Sequence, residues 1–164
     1  LGVMEWTGLP RAAALTLVLT ALILAANAGL LAASWLSSLF SGQSVAGNYS
    51  LHGQAYLPLV LAAFLGYHLF YLLTLGGKLP GAIALYFQME MFSRFGFSVP
   101  GPAIAGLQKA IVLAGFGWAS FIHFQQARGL PGGAARVAGG LAGHGIYGAL
   151  LAAAILAAMR IHFP

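Results

Sequence analysis

Histidine is the residue through which this chain has the means to do chemistry. His68, His123 and His144 fall inside or at the edge of long apolar stretches. An ionisable side chain is costly there and marks a functional position by default. Its neutral imidazole nitrogen is a ligand for metals, the iron of heme included. At His144, Gly140 and Gly148 stand one turn to either side, and Gly145 follows directly. Such a bare surface leaves room for a flat macrocycle. His123 is flanked at the same spacing by Ala119 and Ala127, and His68 by the bulkier Phe64 and Leu72. The expectation is a heme b or a chlorophyll held by at least one of His144, His123 and His68, with Gly140, Gly145 and Gly148 lining the cofactor. The same stretch also reads as close helix packing, because Gly139 and Gly143 form a GxxxG pair. His52 reads as an interfacial residue at a loop edge, and His162 as a solvated terminal one.

Could His123 and His144 share one heme? Counted from the loop between them, their depths differ by about four residues, or roughly 6 Å. Hairpin helices pack ~8–10 Å apart, too close to hold a macrocycle unless they splay.

Other catalytic equipment is sparse. The only acids are Glu5 and Glu90, both outside the apolar stretches. A pair of carboxylates for acid–base work is therefore not expected. Ser120 and His123 share a helix face but have no acidic residue to orient them. There are no cysteines, hence no disulfide, thiol nucleophile or thiolate metal site.

These residues need elements to position them. The 164 residues are 60% hydrophobic and 5% charged, where a soluble domain carries roughly 25% charged residues. The outer surface must therefore face lipid or other membrane subunits. The reading is an all-α integral membrane bundle of about four transmembrane helices, near 12–35, 53–75, 103–125 and 137–159. Each has about the 20 residues needed to cross a bilayer. Residues 36–52 read as a polar, uncharged loop. Residues 81–98 read as an amphipathic helix in the interface, with Glu90 and Arg94 at ion-pair spacing.

The net charge of +5 comes from scattered Lys and Arg. With no basic stripe, nucleic acid is not an expected partner. Four spans would put Arg11, Lys78, Arg94, Lys109 and Arg160 on one side and Arg128 and Arg136 on the other. The positive-inside rule then places both termini on the cytoplasmic, stromal or matrix face of a bacterial inner, thylakoid or mitochondrial inner membrane. The functional expectation is a non-catalytic subunit of a larger membrane complex, photosynthetic or respiratory, with other membrane subunits and lipid as partners. The rival classes are a small-solute transporter or channel, lined by Asn27, Gln54, Gln108 and Lys109, and a small membrane enzyme.

Overall fold

The structure is a computed structural model that describes residues 10–89, 96–129 and 133–162. The described residues form helices and connecting turns. Helix α1 (Arg11–Ser41) begins after Pro10, whose missing N–H costs nothing at a helix start, and stops at Gly42, a left-handed cap with φ 72°. Helix α2 (Val45–Gly53) is capped by Ser44, whose hydroxyl accepts from the Gly47 amide at 3.0 Å. A 3-10 turn (Gln54–Tyr56) carries it into α3 (Leu57–Leu75), and a second (Gly76–Lys78) into α4 (Leu79–Tyr86). Helices α5 (Gly101–Arg128) and α6 (Gly133–His162) complete the fold.

Four helical runs are long and apolar enough to cross a membrane: Ala13–Ser41, Val45–Tyr86, Gly101–Arg128 and Gly133–Met159. Large apolar side chains such as Leu24, Leu72, Leu85 and Trp118 point outward, each more than 60% exposed. An exterior of that kind suits an apolar surrounding. The chain is an all-α bundle, as the composition requires.

Two expected boundaries differ. Residues 36–52 are not a loop, because α1 runs on to Ser41 and α2 occupies most of the rest. Asn48 and His52 are fully buried on α2, so the interfacial reading of His52 does not hold. Polar side chains there bond within the bundle: Asn48 Nδ2 donates to Ser41 Oγ at 3.1 Å. The expected helix over 81–98 stops at Tyr86. Gln88 adopts φ 57°, a left-handed conformation that ends the helix. Gly96–Pro100 is not helical, and Val99 precedes a proline, which disfavours α geometry. Glu90 and Arg94, the expected ion pair, lie outside the described residues.

Small residues set the helix pairing. Helix α1 packs on α6, α3 on α5, and α5 on α6. At the first contact a Cβ on Gly139 would strike Phe40, and one on Gly143 would strike the Ala33 carbonyl and sit 2.8 Å from Ser37 Oγ. Ser37 Oγ donates to the Gly140 carbonyl at 3.0 Å. At the second contact Gly115 lies against Ala62 and the Pro58 carbonyl. Gln108 Nε2 bridges to the Gly66 carbonyl at 2.8 Å. Between α3, α5 and α6 a small apolar core forms from Leu59, Val112, Ala119 and Ala152.

Candidate functional site

Above that core the bundle interior turns polar. Three helices each contribute one imidazole: His52 from α2, His123 from α5 and His144 from α6. Their relative exposures are 0%, 4% and 0%. Ring centroids are 4.4 Å apart for His52–His144, 5.2 Å for His52–His123 and 5.4 Å for His123–His144. The last pair is stacked, with 21° between the planes. Tyr56, one turn beyond His52, meets the His123 ring edge-on at 4.6 Å.

The hydrogen bonds restrict where the ring protons sit. The Tyr56 hydroxyl donates to the His144 backbone carbonyl at 3.0 Å. Nδ1 of His144 lies 3.1 Å from the same hydroxyl. The one phenolic proton can serve only one of these two atoms; assigned to the carbonyl, it leaves Nδ1 as the donor. A neutral imidazole carries one N–H, so Nε2 of His144 presents a bare lone pair. His52 and His123 meet Nδ1 to Nδ1 at 3.1 Å. One of those nitrogens donates and the other accepts, so one ring of that pair has a bare Nε2 and the other an Nε2–H. Gln126 stands beside His52, and its buried Oε1 has no partner. It is the natural acceptor for an N–H on His52. Most groups are satisfied when His52 carries Nε2–H and accepts at Nδ1 from His123. His123 and His144 are then the two rings with bare Nε2 atoms. All three Nε2 atoms are buried without a hydrogen-bond partner, a condition that native interiors avoid and that calls for an explanation.

His123 and His144 also line a pocket of about 180 Å³, together with Tyr56, Phe116, Ala119, Ser120, Phe124, Leu141, Gly145 and Gly148. Among the described residues there is no carboxylate. No three His, Cys, Asp or Glu side chains there already converge as a metal-ligand set. The arrangement is a pair of available imidazoles, each hydrogen-bonded from behind by a neighbour. Metal-ligating histidines are held in this manner, the second ring nitrogen bonded to an orienting group.

The expected site residues divide. His123 and His144 come together. Gly145 and Gly148 line the pocket beside them, and a Cβ at Gly145 would meet nothing within 4 Å. The Gly140 carbonyl serves the packing against α1 instead. His68 is elsewhere. It is exposed on α3, its ring 4.1 Å from Phe64, beside a groove of about 600 Å³ lined also by Leu65, Leu69, Tyr71, Leu72 and Ile111. The residues weighed for a solute path do not gather. Asn27, Gln54 and Lys109 are exposed, and Gln108 is inside and bonded to Gly66.

Sequence reasoning missed His52 and Tyr56. Their signal was the spacing Asn48, His52, Tyr56, each four residues after the last, which marks one polar face of a helix. No protein-family model, no curated protein and no solved structure matches the chain.

Proposed function

We propose that the chain is a membrane-embedded metal-binding subunit whose centre is the imidazole pair His123 and His144. The observation that carries this is the buried, partnerless Nε2 of each ring, with Nδ1 hydrogen-bonded by Tyr56 in one case and by His52 in the other. Imidazole suits copper, zinc, iron and nickel. Two neutral ligands in a dry interior favour a monovalent cation, because the cost of desolvating an ion rises steeply with its charge. The proposed occupant is therefore copper(I), with Tyr56 and His52 as positioning residues. A macrocycle fits this interior less well. The two rings are nearly parallel with centroids only 5.4 Å apart, and a pocket of about 180 Å³ falls below the roughly 300–1,000 Å³ of ordinary cofactor sites.

The test is metal analysis and an absorption spectrum on protein purified in mild detergent. One copper per chain is expected in the wild type and in His68→Ala. It should be lost in the His123→Ala/His144→Ala double variant. Equal copper in the double variant and the wild type defeats the reading. A Soret band lost in that double variant would show a heme in place of the ion.

A second reading attaches to His68. Its groove of about 600 Å³ lies within the size range of cofactor sites and has an imidazole at its edge. A heme b or chlorophyll lodged there would sit on the outer face of α3, between this chain and a neighbouring subunit. A porphyrin or chlorin band that disappears in His68→Ala, with copper retained, is the result expected from that arrangement.

A further inference from the structure

The pocket beside the imidazole pair has a mouth and a floor. Its floor is buried: Tyr56, Ala119, His123, His144 and Gly148. At its outer end Ser120 and Gly145 are exposed and Phe124 is 43% exposed. Phe116 and Leu141, half-buried, form the walls between. The opening therefore lies between α5 and α6 on the side of the bundle and not at its end. The depth of the opening follows from the helix rise. His123 is five residues before Arg128, and His144 eight residues after Arg136. At 1.5 Å per residue they lie about 8 and 12 Å below those charges, inside a hydrocarbon layer whose half-thickness is about 15 Å. Phe116, Phe124 and Leu141 around the opening give water little to bond.

The geometry points to a lateral port through which a small, neutral, lipid-soluble molecule of dioxygen size passes from the bilayer to the imidazole pair. The pocket is too small for a large ligand. Its apolar walls exclude ions, and its floor offers lone pairs at the far end. Gly145 keeps the mouth open, because any side chain there would project into empty space at the opening. The entrant's role as a ligand to bound copper rests on the reading above. The route itself does not.

The experiment uses metal-free, chelator-treated protein in lipid nanodiscs, with labelled histidine ring signals observed by NMR. Dissolved dioxygen is the probe, being paramagnetic and concentrated in lipid. A water-soluble gadolinium chelate is the counter-probe. Dioxygen should relax the His123 and His144 ring signals, and the chelate should not. Gly145→Phe should cut the dioxygen effect on both rings at least threefold, and Ser120→Phe should do the same from the opposite lip. Gly117→Phe, on the open outer face of α5, should leave it unchanged. The exposed His68 ring should respond to dioxygen in every variant, reporting that the probe is equally present in each sample. Undiminished relaxation in both Gly145→Phe and Ser120→Phe overturns the port. Equal relaxation by the gadolinium chelate in the wild type also overturns it, by showing a water route. Copper-loaded protein adds a separate reading. Carbon monoxide should give an infrared band in the wild type that Gly145→Phe loses while keeping its copper. Absence of copper from the wild type would sink the copper reading and leave the dioxygen result standing.

Discussion

Tyr56 decides the chemistry of His144 without being a ligand itself. Its hydroxyl serves two groups of the same residue, the carbonyl and Nδ1. In Tyr56→Phe both lose this bond, and Nδ1 is left without a partner. A buried polar group left unbonded costs about 1–3 kcal/mol. The variant is expected to melt at a lower temperature, but a structural role alone would predict that much. The distinguishing measurement is the ¹⁵N spectrum of the His144 ring in metal-free protein. The wild type should show one tautomer, with Nε2 unprotonated; the variant should show a mixture. If His144 ligates copper, the affinity should fall about 10–100-fold in the variant, the usual cost of removing an orienting partner from a ligating histidine. A single unchanged tautomer in Tyr56→Phe would refute the assignment. That His144 and His123 lie in the bundle interior was legible from the sequence, because an imidazole in an apolar run stands out. That Tyr56 and His52 also lie there was not, because Ser, Gly, Gln and Asn around them resemble a loop. What turns that stretch into helix is tertiary: Asn48 and His52 find partners inside the bundle that no local propensity announces.

At the scale of elements, glycines as little as two positions apart in α6 do opposite things. Gly139 and Gly143 face α1 at backbone distance, whereas Gly145 faces open space. Gly143→Ala drives a methyl group into the Ala33 carbonyl and beside Ser37 Oγ. Overpacking of that kind typically costs about 1–3 kcal/mol. Gly145→Ala meets nothing and gains helix propensity, up to about 1 kcal/mol. Thermal unfolding in one detergent should therefore place Gly143→Ala below the wild type and Gly145→Ala at or above it. If the two variants melt together, the α1–α6 contact is not set by Gly143. The four long helices were visible as apolar runs of spanning length. Their ends were harder, since the polar turns of α1 and α2 continue the helix past the point where hydropathy falls. In the expected helix over 81–98, the described part ends at Tyr86 because the backbone turns at Gln88, and the charges whose spacing suggested a helix lie outside the described residues.

At the scale of the whole molecule, the imidazole centre is a polar knot that joins three helices far apart in sequence. His52, His123 and His144 come from α2, α5 and α6, separated by 71 residues at the first step and by 21 more at the second. The lower bundle is held differently, by the apolar contacts of α3 with α5 around Leu59 and Val112. A metal bound only by the folded state stabilises it by about 2.7 kcal/mol at a hundredfold excess over its dissociation constant. If copper(I) sits between His123 and His144, that stabilisation should be local in origin. Adding copper(I) should raise the melting temperature of the wild type and of His68→Ala, and a strong chelator should reverse the rise. The His123→Ala/His144→Ala double variant should show no rise. Hydrogen exchange should slow most in α2, in α5 around His123 and in α6 around His144, the segments whose joint opening would break the centre. The first turns of α5 near Ile104 and Gln108, which are buried far from the centre, should change little. Slowing spread evenly over all helices would mean that the ion acts elsewhere, and a rise that survives in the double variant would place the binding site outside the imidazole pair.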